Sequence, residues 1–173
     1  MTSPIGADAV LPEPRDRLAR LRLARLWLAA RGRLEVRGHV RIERGARVAV
    51  ARGGRVVLED GCLLGAGSRI EATGGVVRLG SGARLGARAV IVARECVEVG
   101  PGSTIGEWAL VCDTAPTFDD PERPTRLQPL RVAAVRIGDN ARIGAHATVL
   151  AGETIPAGAV VGSYETRSSS ASP

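Results

Sequence analysis

RIGDNARIGAHATVLAGETI, residues 136–155, is the stretch on which the fold turns. Ile137, Ile143, Val149 and Ile155 stand six residues apart, and Ala141 and Ala147 follow the first two by four. An amphipathic helix repeats its apolar positions every 3.6 residues, so a strict beat of six excludes one. It suits a coil in which each hexad supplies one short strand and one corner. The small residue and the next aliphatic flank an outward residue, and by the alternation of a strand both then point inward.

The beat extends in both directions. Upstream run Val36, Ile42, Val48; Leu58, Leu64, Ile70; Leu79, Leu85, Ile91; and Val99, Ile105, Val111; downstream comes Ile155, Val161. Ala46, Ser68, Ala83, Ala89, Ser103, Ala109 and Ala159 fill the small position. Gly follows the first or second aliphatic of a set (Gly65, Gly80, Gly86, Gly100, Gly106, Gly138, Gly144, Gly162), never the third. Three hexads therefore make one turn of a triangular prism, and turns stack by parallel pairing. The sets open at Val36, Leu58, Leu79, Val99, Ile137 and Ile155, which are 22, 21, 20, 38 and 18 residues apart. An uninterrupted coil needs three hexads, so the surplus leaves from one corner, the third, near residues 51–56, 73–77, 93–97 and 113–135. The expected architecture is an all-β parallel helix of about six coils over residues 34–163, with an inserted loop at 113–135.

Composition fits a narrow aliphatic interior. Of 173 residues 45% are hydrophobic and only 2% aromatic, so the core is Val, Ile, Leu and Ala. The net charge is +6, but the arginines are spread along the chain and there are almost no rings to stack bases, which argues against a nucleic-acid partner. Cys62, Cys96 and Cys112 lack metal-ligand spacing and read as reduced thiols of a cytoplasmic protein. No stretch reaches the roughly 20 apolar residues of a membrane span. Residues 1–14 read as a flexible N-terminus. Residues 15–32 read as an amphipathic helix bounded by Pro14 and Gly32, placed to cap the first coil or to touch a partner copy or a membrane surface. The polar residues 164–173 read as a disordered tail.

The rhythm breaks at CDTAPTFDDPERPTRLQPL, residues 112–130. Taken with RIGDNARIGAHATVLAGETI, this resembles the hexapeptide-repeat acyltransferases of the left-handed parallel β-helix fold, in their sugar and antibiotic O-acetyltransferase branch. The resemblance implies a left-handed helix, a homotrimer, and acetyl-CoA or another acyl-CoA bound as donor between prisms. It further implies a small-molecule acceptor, such as a carbohydrate hydroxyl, and no metal. Asp113, Phe118, Asp119, Asp120, Pro121 and Pro124 match the family's active-site loop, but its catalytic His falls on Ala115 or Pro116. With the imidazole gone, Asp113, Asp120 and Asp119 are the candidate proton acceptors, a role that needs hydrogen-bond reach to the acceptor hydroxyl. The structural alternative for Asp119–Asp120–Pro121 is a turn opener. Ala145 and Ser163 match positions whose backbone lies along the pantetheine arm. Arg142 stands where relatives carry Trp and is open to a donor phosphate or to plain solvent.

Two His complete the inventory. His39 reads as an exposed corner, and His146 as a corner residue or a substitute base. Cys112 follows an inward aliphatic without a nearby His and reads as a packed thiol. A zinc carbonic anhydrase needs three His and is disfavoured. Two functions from different classes stand: an acyl-CoA-dependent O-acyltransferase with an atypical loop, and a catalytically silent β-helix acting as scaffold or ligand-binding module. For assembly, the outward Val90 and Leu110 are expected at a threefold contact. The column Glu35, Val57, Arg78, Glu98, Arg136 is expected to be a solvated charge ladder.

Overall fold

The computed structural model describes residues 32–117, 122, 124 and 127–169. Among them, strands stack into three six-stranded parallel sheets that form the walls of a prism. The first wall holds β1 (Leu34–Val36), β4 (Arg55–Leu58), β7 (Val76–Leu79), β10 (Cys96–Val99), β15 (Val135–Ile137) and β18 (Thr154–Ile155). The second holds β2 (Arg41–Ile42), β5 (Leu63–Leu64), β8 (Arg84–Leu85), β11 (Thr104–Ile105), β16 (Arg142–Ile143) and β19 (Val160–Val161). The third holds β3 (Arg47–Val50), β6 (Arg69–Ala72), β9 (Val90–Ala93), β12 (Leu110–Cys112), β17 (Thr148–Val149) and β20 (Thr166–Arg167). The result is a left-handed parallel β-helix of six coils.

Register follows the hexads. Ile105 pairs with Leu85 and Ile143, and Val111 with Ile91 and Val149, so each aliphatic stacks on its counterpart one coil away. These columns are the core: Leu58, Leu64, Ile70, Ile91 and Val111 are fully buried, and so are the small residues Ala89, Ala109 and Ala147. A large side chain at a wall and a small one near a corner fill a triangular cross-section without voids. Ser103 takes a small position in this interior and bridges two coils. Its hydroxyl donates to the Gly138 carbonyl at 2.7 Å and accepts the Ala141 N–H at 3.0 Å.

The glycines after the aliphatics owe their place to coil spacing. A Cβ on Gly144 would lie 2.5 Å from the Ser163 nitrogen, and one on Gly106 2.6 Å from the Ala145 nitrogen. The backbones of neighbouring coils touch there. A Cβ is costly there because the coils approach closely, not because the chain bends.

Every surplus residue leaves between the third wall and the first, at the third corner. The longest insertion begins and ends as an antiparallel arm, β13 (Thr114–Pro116) paired with β14 (Leu130–Val132). One boundary moves. The coils do not stop at residue 163, because β20 pairs with β17 and closes the sixth turn through Arg167. The proposed capping helix and the end of the tail lie outside the described residues.

Candidate functional site

The arm is fastened at its root by Asp113, which is 0% exposed. Its Oδ2 accepts the N–H groups of Glu95 (2.6 Å) and Cys96 (2.9 Å), and both oxygens take that of Arg94 at 2.9 Å. Three successive amides of the coil below thus converge on one carboxylate, the nest geometry that holds anions. This corrects the reading of Asp113 as a proton acceptor. Three backbone donors hold it, and a fully buried carboxylate does not meet an acceptor hydroxyl. It holds the arm in place. The Asp113 carbonyl also accepts the Ala133 N–H at 3.0 Å, closing the arm's base. Arg131 donates from Nη2 to the Ala151 carbonyl at 2.6 Å and to that of Ser169, tying β14 to the last coil.

At the lost His position, Ala115 sits 8% exposed opposite Arg131, and Pro116 opposite Leu130. Neither carries a proton. Asp119 and Asp120 lie outside the described residues, in the segment between β13 and β14. Cys112 Sγ lies 2.9 Å from Thr114 Oγ1, a packed contact rather than a nucleophile beside a base. Burial pushes the Cys62 and Cys96 thiols above their ordinary value, so they favour the neutral form. Among the described residues no group of three or more His, Cys, Asp or Glu is placed to hold a metal, and no helix is long and apolar enough to cross a membrane.

The second corner carries what the sequence reading missed. Three residues after the second aliphatic of each coil the backbone turns left-handed. The first two coils use Gly45 (φ 79°) and Gly67 (φ 67°) there. The next four use Arg88 (56°), Trp108 (59°), His146 (59°) and Tyr164 (62°). A side chain in this conformation costs about 1–2 kcal/mol per residue. The four form one column. The Arg88 guanidinium lies 4.7 Å from the Trp108 ring centre, Trp108 stacks on His146 at 6.1 Å and 8°, and His146 on Tyr164 at 4.8 Å and 3°. Such contacts return about 0.5–1.5 kcal/mol each. Trp108 is nevertheless 50% exposed and Tyr164 76%.

Beside this column runs another, of backbone. The N–H groups of Ala87, Glu107, Ala145 and Ser163 find no acceptor among the described residues, whereas the carbonyls of Ala87, Glu107 and Ala145 accept from Trp108, His146 and Tyr164. Ala145 and Ser163 are therefore available as donors one coil apart. Arg142 is exposed on the second wall, in register with Thr104 and Val160.

The two outward columns also take shape. On the first wall the expected column Glu35, Val57, Arg78, Glu98, Arg136 is interrupted by the buried Val57, and its charges pair largely with residues beside it: Arg37 binds both Glu35 and Glu59, Arg55 binds Glu35, and Arg78 binds Glu59 at 3.0 Å. The hydrogen bond from Arg37 holds the Glu35 carboxyl below the usual value. Arg136 approaches Glu98 at 3.7 Å across a shallow groove of ≈ 750 Å³ along the same wall. On the third wall Leu110 pairs in register with Val90 and Thr148, and the aliphatic pair is half-buried.

Stacked hexads, a third-corner arm and a row of available amides define a left-handed β-helix of hexapeptide repeats. Residues 134–163 match the family described as "Hexapeptide repeat of succinyl-transferase". The chain is 34% identical over 101 residues to the probable acetyltransferase Rv3034c of Mycobacterium tuberculosis, covering 58% of this chain and 34% of that one. It thus spans about a third of the relative's length. Among solved structures, two of AntD, an N-acyltransferase from Bacillus cereus, are similar to it. One, with dTDP and 3-hydroxybutyryl-CoA, has TM-score 0.46 and 16% identity, over 86% of this chain and 77% of AntD. The other, a point mutant with dTDP-4-amino-4,6-dideoxyglucose and coenzyme A, has TM-score 0.47 and 15% identity over 78% and 66%. In its hexapeptide repeat and in the stretch it shares with Rv3034c, this chain is similar to the hexapeptide-repeat acyltransferases.

Proposed function

We propose that the protein transfers an acyl group, acetyl being the simplest, from acyl-CoA to a hydroxyl of a saccharide or similar acceptor. The observation that carries this reading is the row of unpaired amides at the second corner. Donors at Ala145 and Ser163, one coil apart, suit the successive amide carbonyls of a pantetheine arm. Arg142, exposed on the adjacent wall, is the proposed partner of a donor phosphate.

The reaction is direct transfer. The acceptor oxygen attacks the thioester carbonyl, its proton passes to a base, and the tetrahedral adduct collapses to the ester and the CoA thiolate, which takes up a proton. With Asp113 committed to the arm's root, Asp119 and Asp120 are the proposed bases. An ordinary carboxyl near ~4 is a weaker base than an imidazole near ~6.5, so turnover is slow. Arm and amide row stand at different corners of one prism, so we place the site between copies of a homotrimer, joined through the Val90–Leu110 wall. We assign the protein to the cytoplasm, where acyl-CoA is made.

A silent binding module is the second reading, favoured by Ala115 and Pro116 in place of the catalytic His. Calorimetry with acetyl-CoA and turnover with sugar acceptors separate the two. Binding with turnover that falls about 10²–10⁴-fold in Asp119→Asn or Asp120→Asn supports the enzyme. Turnover unchanged in both variants moves the base to His146. Binding without turnover leaves the module, and no binding ends the donor reading. Sedimentation tests assembly: Leu110→Glu is expected to yield monomers, and a wild-type monomer refutes the trimer.

A further inference from the structure

We infer that the Arg88–Trp108–His146–Tyr164 column is an unfinished stack whose next rung is the adenine base of the donor. The inference rests on the donor reading above and names the group that the column receives.

A purely structural corner does not call for such a column, because glycine meets the same backbone requirement in the first two coils without strain. Left-handed non-glycine residues gather where their side chains are needed. Here four successive coils each place a flat group, and each places it on the same line. Inside the row the faces are taken by neighbours, leaving ring edges to solvent. Arg88 closes one end over Trp108. Tyr164 forms the other end, one face on His146 at 4.8 Å and the residue 76% exposed. Among the described residues the prism finishes in that coil, and no seventh corner covers the ring. A planar ring from outside the chain extends the row at the same rise.

The amide row supplies the axis. Ser163 precedes Tyr164 and Ala145 precedes His146, so a pantetheine arm held by those two N–H groups lies parallel to the column, and the base meets a free ring face only at the Tyr164 end, since Arg88 closes the other. The only aromatic ring system in acetyl-CoA is its adenine. A base stacked on a protein ring loses roughly 5- to 150-fold in affinity when the ring is removed.

The test is calorimetric titration of CoA and of 4′-phosphopantetheine, which lacks the base, into wild type, Tyr164→Ala and Tyr164→Phe. Thermal melting confirms that each variant is folded. The expected result is a roughly 5- to 150-fold loss of CoA affinity in Tyr164→Ala, near-wild-type binding in Tyr164→Phe, and unchanged phosphopantetheine binding in all three. Wild-type CoA affinity in Tyr164→Ala overturns the inference while leaving the donor reading intact. An equal loss for both ligands also overturns it, because the ring then acts on the arm. If Tyr164→Ala changes only the oligomeric state, the open face belongs to a second copy and the inference falls. If the wild type binds neither ligand, donor reading and inference fall together.

Discussion

Replacing Asp113 by Asn separates two roles that a carboxylate at the root of an active-site arm can have. The substitution keeps size and shape and exchanges one oxygen for an NH2. With the remaining oxygen at the Oδ2 position, the Glu95 and Cys96 contacts at 2.6 and 2.9 Å survive without charge assistance. The NH2 then faces the Arg94 N–H from 2.9 Å, donor against donor, while that N–H keeps its other acceptor, the oxygen at the Oδ2 position, at 2.9 Å. The flipped amide is worse, since it turns the NH2 on the N–H groups of both Glu95 and Cys96. The donor-against-donor contact at Arg94 plus the lost charge assistance at all three amides costs about 1–3 kcal/mol. Arg94 and Glu95 are exposed, so water recovers part of this, and about 2 kcal/mol is the expected loss. Asp113→Ala orphans all three donors and is expected to cost about 3–4 kcal/mol, above the roughly 0.5–3 kcal/mol of most single substitutions.

Urea denaturation measures the stability, and limited proteolysis at 117–129 reports the arm. Both variants are expected to lower the midpoint and to speed cleavage of the arm before global unfolding. A base would behave oppositely, with activity lost about 10²–10⁴-fold and stability nearly untouched. If Asp113→Asn matches wild type in midpoint and cleavage within error, the nest does not hold the arm and the reasoning is refuted.

Three further outcomes follow from the same geometry. Gly144→Ala places a Cβ 2.5 Å from the Ser163 nitrogen and is expected to cost about 1–3 kcal/mol by urea denaturation; an unchanged midpoint would show that the coils can part freely. Arg131→Ala removes the donors to Ala151 and Ser169 and is expected to raise amide exchange at Arg167 and Ser169, with exchange at Val111 unchanged. Because burial raises the Cys62 thiol above its ordinary 9.0, its contribution to stability is intact below that pH and is lost as pH rises through the folded value. Cys62→Ser is accordingly expected to flatten the fall in midpoint as the pH rises above 9.0, and an identical fall in both proteins would contradict the assignment.

The coils were legible because one register rule governs every turn. An inward aliphatic every sixth residue fixes which side chains face the axis, and unequal set spacings fix the corner that takes the insertions. Val111, Ile91 and Val149 stack as that rule requires. The role of Asp113 was not legible. Its partners are backbone amides 17 to 19 residues earlier, and the sequence assigns no side-chain signal to a nest. Residue type suggested a base there, while burial made it an anchor. The final coil was misjudged for a related reason. Residues 164–167 are polar in composition, yet pairing with β17 needs only backbone, and β20 forms with both residues exposed.

The stacked column follows from the same rule, but the linear chain disguises it. Arg88, Trp108, His146 and Tyr164 are separated by 20, 38 and 18 residues, which hides any likeness in the linear chain. Counted from the second aliphatic of each coil, Leu85, Ile105, Ile143 and Val161, every one is the third residue. The chain contains only two Trp, one Tyr and one Phe, and two of these four rings fall at that single register position. A core-building role is excluded there, since the position lies at a corner and points out of the prism. A solenoid repeats its backbone, so each register position is also a line on its surface, and side chains that are pairwise remote become neighbours at the spacing of the coils. Rings placed on such a line, in a conformation that glycine would adopt without strain, are better explained by what they contact outside the chain than by the coil that bears them.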